Sequence, residues 1–115
     1  QLWRRIVFTI AVSNCDDHLR NHGFLLTPQG WRLSPAYDMN PDEYGTGLKL
    51  NISENDNSLD FDLVMSITPY FGLEPARAES ILAEVKHAVS GWRKLATQYG
   101  ISKSEQDAME RAFRY

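Results

Sequence analysis

Long apolar runs are missing from this sequence. The longest, Ile6 to Ile10, is already interrupted by Thr9, whereas a membrane-spanning helix needs about 20 apolar residues. Cysteine is almost missing: Cys15 stands alone. That excludes an intramolecular disulfide and a multi-cysteine zinc site, and it fits a reducing compartment and a cytoplasmic location. No segment carries the dense Lys/Arg face that nucleic-acid binding demands. The chain opens on Gln1-Leu2-Trp3, with no initiator Met and already in patterned sequence, so no signal peptide is expected. Its 115 residues are one domain's worth at most, and they read as a piece of something longer.

What is present is ordinary in amount and uneven in placement. Apolar residues make up 43% and charged residues 23%, enough for a soluble domain with its own core. The net charge of −3 gathers in the middle. Asp42, Glu43, Glu54, Asp56, Asp60 and Asp62 face Lys49 alone, which reads as a solvated acidic loop. The flanking segments are close to neutral.

Trp3, Ile6, Val7, Ile10 and Ala11 recur at helical spacing, so residues 2–12 are expected to form a buried helix, with strand as the second choice. Ser13-Asn14 breaks the pattern. Phe24-Leu25-Leu26 and Trp31-Arg32-Leu33 flank Thr27-Pro28-Gln29-Gly30, a hairpin turn with Pro early and Gly late. Ser34-Pro35 ends the second strand. Residues 40–58 read as a loop, with a short extended piece at Leu48-Lys49-Leu50. A helix is expected from Leu59 to Phe71, capped by Asn57 or Ser58 and ended or kinked at Pro69. A longer one follows from Pro75 to about Tyr99, with Gly100 just past its end. Ser102-Lys103-Ser104-Glu105 matches a capping box, predicting a last helix over about 103–114 with Ala108, Met109, Ala112 and Phe113 inward. The fold class is therefore mainly α with a small β-hairpin: one domain over 1–115, divided into 1–39, 40–58 and a helical tail, 59–115.

The chemistry gathers in residues 14–38. Asp16, Asp17, His18, Asn21 and His22 fall together, and Asp38 follows the hairpin. Singly, each has a plain structural reading as cap, turn former or core histidine. Together they have the spacing of a protein-kinase-type phosphoryl-transfer site: an Asp, an Asn five residues on, and a second Asp beyond a two-stranded hairpin. Such a site needs a carboxylate to accept the proton of the attacking hydroxyl. It also needs hard oxygen ligands for Mg²⁺ beside the phosphates.

Asn14-Cys15-Asp16-Asp17-His18-Leu19-Arg20-Asn21, then Gly23-Phe24, then Leu33-Ser34-Pro35-Ala36-Tyr37-Asp38-Met39, resembles the catalytic core of HipA-like serine/threonine kinases. These are toxins of HipBA-type bacterial toxin–antitoxin modules. The Asp-x-His-x-x-Asn core is shared more loosely with aminoglycoside phosphotransferases and lipid kinases, and Ser-Pro-Ala-Tyr-Asp at this distance is what points to HipA. The resemblance implies the C-terminal helical lobe of a protein-kinase-like fold, using ATP and Mg²⁺. It implies Asp16 as catalytic base, and Asn21 and Asp38 as the metal and cofactor ligands. His18 joins the catalytic set, assigned to holding the loop by hydrogen bonds. Arg20 is open between neutralising phosphate and lying on the surface. Asp17 is expected to be exposed, and Cys15 and His22 structural.

The partners implied are a protein substrate and a small HipB-like DNA-binding antitoxin, with DNA met only through that antitoxin and no membrane. No glycine-rich loop, strand Lys or partner Glu occurs in these residues. The chain is thus expected to be the C-terminal portion of the kinase, inactive alone. A start inside a lobe should leave the apolar face around Trp3, Ile6 and Val7 partly uncovered, with self-association as a consequence. Two alternatives stay open: a small-molecule kinase with the same core, and a non-catalytic helical interaction domain that binds an antitoxin.

Overall fold

The apolar stripe of the first residues forms helix α1, Leu2–Ala11, in the computed structural model, which describes residues 1–115. Trp3, Val7, Ile10 and Ala11 are buried along it, as a helical apolar face requires. The Trp3 indole N–H donates to the Val64 carbonyl at 3.0 Å. The largest core side chain thus enters the interior with its only polar atom satisfied. Val64 belongs to α2, Phe61–Ser66. The expectation of an uncovered face around Trp3 and Val7 is corrected. Helices α2 and α3 (Pro75–Ser90) pack on α1, and of the three residues only Ile6 stays half-buried.

Helix α1 ends without a glycine. Ser13 takes the left-handed conformation, φ 50°. Its amide donates to the Ile10 carbonyl at 3.1 Å and the Asn14 amide to the Thr9 carbonyl at 2.9 Å, the paired bonds of a Schellman cap. A residue with a Cβ gives up about 1–2 kcal/mol in that conformation. Contacts from far along the chain hold it there. Arg114 Nε donates to Ser13 Oγ at 3.1 Å. The Arg114 amide donates to the Ala11 carbonyl at 2.7 Å and the Asp42 amide to the Ser13 carbonyl at 3.2 Å.

A single 3-10 turn, Leu19–Asn21, leads to the only sheet, in which β1 (Phe24–Thr27) and β2 (Gly30–Leu33) pair antiparallel with Phe24 opposite Leu33. Gly30 has φ 104°, the positive value expected of the last turn residue.

The acidic middle is less solvated than its charge suggests. Leu48 is buried in the core, and Ile52 and Leu59 pack against it. Residues 48–50 form no strand. Instead the Leu48 amide donates to the Asn57 carbonyl at 2.8 Å, and Asn57 Nδ2 donates to the Leu48 carbonyl at 2.6 Å. Intra-loop partners thus replace a ladder.

The helices after it are shorter than their periodicity predicts. The cap of α2 is Asp60, not Asn57 or Ser58, and its carboxylate accepts from the Asp62 amide at 2.8 Å. Helix α2 stops at Ser66, and Pro69 sits in a 3-10 turn, Thr68–Phe71. The long helix expected to reach Tyr99 breaks at Gly91 into α3 and α4 (Trp92–Gln98); glycine is a weak point in any helix interior. The Ser102–Glu105 capping box is formed as expected. Helix α5, Lys103–Met109, is short, however, and a 3-10 turn follows it. Ala108 faces solvent, and the buried position is Gln106, whose Nε2 donates to Thr97 Oγ1 at 3.1 Å and to the Ile101 carbonyl at 2.9 Å. Phe113 stacks on Trp92, ring centroids 4.1 Å apart. The whole is mainly helical with one small antiparallel hairpin.

Candidate active site

The cap at Ser13 turns the chain out of α1 into the loop 14–23. Asn14 is buried at its start. The 3-10 turn within the loop is closed from both sides. The Asn21 amide donates to the His18 carbonyl at 2.8 Å, and the His18 amide donates to Asn21 Oδ1 at 3.0 Å. His18 therefore holds the loop through its main chain, while Nδ1 of its ring is buried with no partner.

The hairpin then carries the chain out and back. Its return places Asp38 against Asn21, and Asn21 Nδ2 donates to Asp38 Oδ2 at 2.8 Å. Asp38 itself is left-handed, φ 56°, and its other oxygen accepts from Asn40 Nδ2 at 2.9 Å. Tyr37 fastens the same return, its hydroxyl donating to the Arg20 carbonyl at 2.6 Å. Asn21 is buried whereas Asp38 is exposed, so the pair lies at the surface with one member anchored.

Asp16 is open to solvent, and its nearest cation is Lys49 Nζ at 3.8 Å. Sequence spacing thus finds a pair in contact, Asn21 and Asp38, and an exposed carboxylate on the same loop. Asn21 turns its Nδ2 toward Asp38 and its Oδ1 toward the His18 amide, so the carboxylate of Asp38 is the hard oxygen donor open at the pair, and the amide oxygen would join it only by turning over.

Asp17 is the clear departure. It is buried, not exposed, and His22 Nε2 lies 3.0 Å from its Oδ1 and 3.1 Å from its Oδ2. The two residues clasp the loop across the turn that contains His18 and Asn21. The sequence holds both residues but no periodicity that would pair them. Arg20 is exposed. Cys15 is half-buried, and burial pushes its thiol up, with a hydrogen bond from the Gly47 backbone and the nearness of Arg114 pulling the other way. A thiol in that setting is a poor nucleophile. Gly45 lies so close to it that a Cβ at position 45 would overlap Cys15 Sγ.

A family model described as "HipA-like C-terminal domain" matches residues 1–92, which hold the loop, the hairpin, Asp38 and the helices through α3. No curated protein and no solved structure matches the chain. The match spans most of the sequence and contains every element that brings Asn21 to Asp38. The chain belongs to the HipA-like C-terminal domain family.

Proposed function

We propose that the chain is the catalytic segment of a HipA-like, ATP-dependent serine/threonine protein kinase, a toxin of a toxin–antitoxin module. The observation that carries this reading is the contact between Asn21 and Asp38 at 2.8 Å. The bond brings an amide and a carboxylate from either side of the hairpin to one place, the two residue types that a kinase site uses to hold its metal.

In this reading Asp16 accepts the proton of the attacking hydroxyl, and its exposure leaves room for a protein side chain to reach it. Asp38, with Asn21 once its amide turned over, would hold Mg²⁺, for which one amide oxygen and one carboxylate suffice beside water and phosphate oxygens. Bound with ATP, the ion offsets charge on the transferring phosphoryl group. His18 fixes Asn21 by its backbone, and the Asp17–His22 clasp holds both ends of that turn.

The 115 residues include no glycine-rich loop to cradle the phosphates, so the reading expects the chain alone to bind Mg-ATP poorly. From the family it takes cytoplasmic location, a protein target, and neutralisation by a small DNA-binding antitoxin, with DNA reached only through that partner. No helix here is long and apolar enough to cross a membrane.

The test is Asp16→Asn in the intact protein, with transfer of labelled γ-phosphate as the readout. A loss of at least about 100-fold is expected for removing a general base. Transfer that survives the change would end the catalytic assignment. Transfer to a small hydroxyl compound in place of a protein would move the reading to a small-molecule kinase with the same core.

A further inference from the structure

A cleft of about 720 Å³ opens between α1, β2 and the segment after β2, with Met39, the neighbour of Asp38, among its lining. Arg4, Arg5 and Arg32 line it among apolar walls that include Phe8 and Leu33. No Asp or Glu lines it, in a chain whose net charge is −3. Such a concentration of one sign needs a counter-charge.

The three guanidinium groups are not equally free. Arg4 is committed to Glu84, its Nη2 2.6 Å from Oε2. Arg5 and Arg32 form no ion pair. Arg5 Nη2 donates to the Ser34 carbonyl at 2.6 Å, which holds the group in place. Its Nη1 is buried with no partner, so a ligand in the cleft meets that nitrogen only after a small shift of its neighbours. An unpaired buried guanidinium nitrogen is costly enough to call for an explanation.

We infer that this cleft binds a phosphoryl dianion, carried by a phosphorylated side chain or met as free phosphate. Two uncommitted guanidinium charges match the charge of about −1.5 to −2 on a phosphomonoester at neutral pH. The planar fork of Arg matches phosphate oxygens two at a time. The apolar walls suit the carbon skeleton of a phosphorylated residue. None of Asp16, His18, Asn21 and Asp38 lines the cleft, so the inference stands apart from the kinase reading.

The experiment is calorimetric titration of the full chain with inorganic phosphate, with a phosphoserine peptide and with its unphosphorylated counterpart. Saturable binding of the phosphate-bearing probes, weakening as salt rises, is expected. Arg32→Gln removes an exposed, partnerless group, so it should leave the melting temperature in place and weaken binding about tenfold. Arg5→Lys keeps the charge but loses the fork and should weaken it as well. Tighter binding of the peptide identifies a phosphorylated side chain as the source, and equal binding identifies free phosphate. The inference is overturned if neither probe saturates by about 10 mM, if the unphosphorylated peptide binds equally, or if Arg32→Gln changes nothing. It is also overturned if Asp38→Ala abolishes binding, because the phosphate would then sit at the other site.

Discussion

The loop 13–22 and the hairpin 24–33 are neighbours in sequence and opposites in construction. The loop buries polar residues: Ser13, Asn14, Asp17 and Asn21 are all withdrawn from solvent. The hairpin exposes apolar ones: Phe24 is 60% exposed, Leu26 69% and Trp31 71%. Each inverts the usual partition, in which polar groups stay wet and large apolar groups go inside. The loop depends on specific polar bonds, and removing one partner strands the other. The hairpin depends on its ladder and turn, and its side chains add little to the fold of the chain itself. Shape is thus fixed where the proposed chemistry lies, and the adjoining surface is left free.

The sharpest way to break this contrast is Asp17→Ala. It removes the carboxylate that His22 hydrogen-bonds, and stranding a buried polar partner costs about 1–3 kcal/mol. Urea unfolding should show a lower midpoint at unchanged slope. A loss well below 1 kcal/mol would mean that the clasp carries no weight.

Ser13 comes next. Ser13→Ala keeps the left-handed strain and deletes the Arg114 bond, for a loss of about 1–2 kcal/mol. Ser13→Gly deletes the bond but relieves the strain, and should be nearly neutral. Equal effects from the two substitutions would contradict the cap described above.

On the hairpin, Trp31→Ser should shift stability by no more than about 0.5 kcal/mol, despite the size of the side chain removed. A larger loss in thermal unfolding would show that Trp31 packs in solution and that the contrast is overdrawn.

The smallest effect tests a region outside both. The Ser102 hydroxyl, then the Ser102 backbone, hold the Glu105 carboxyl below its ordinary 4.5. A depressed folded pKa contributes stability above the unfolded value, and that contribution is lost as pH falls through the folded one. Acid below about pH 4.5 should therefore loosen the first turn of α5. Glu105→Gln, which keeps a capping side chain, should remove this pH dependence in amide exchange at residues 102–106.

The features legible in sequence were those written within a few residues. The α1 stripe, the Thr27–Gly30 turn and the Ser102–Glu105 box each arise from local periodicity or from one turn's chemistry. The features that were not legible depend on distant partners or on competition between neighbours. Asp60 caps α2 although Asn57 and Ser58 are chemically able to, because helical geometry begins only at Phe61. Leu48 looks like part of a polar loop until its place in the buried core is known. Gly91 lies inside an unbroken apolar period, and only the structure shows that the helix yields there. In the candidate site, spacing identified Asn21 and Asp38 as a set but could not show that Asp17 turns inward to His22.

The bond between Arg114 and Ser13 spans 101 positions along the chain, and that separation has a consequence in time. A contact between residues so far apart carries a loop-closure cost that must be met before the contact rewards it. During synthesis Ser13 leaves the ribosome 101 positions ahead of Arg114, which fastens the last turn of α1. A nascent chain can therefore carry the loop's whole sequence while its entrance is still unfastened. If the loop is the catalytic one, its entrance is fastened only once Arg114 is in place.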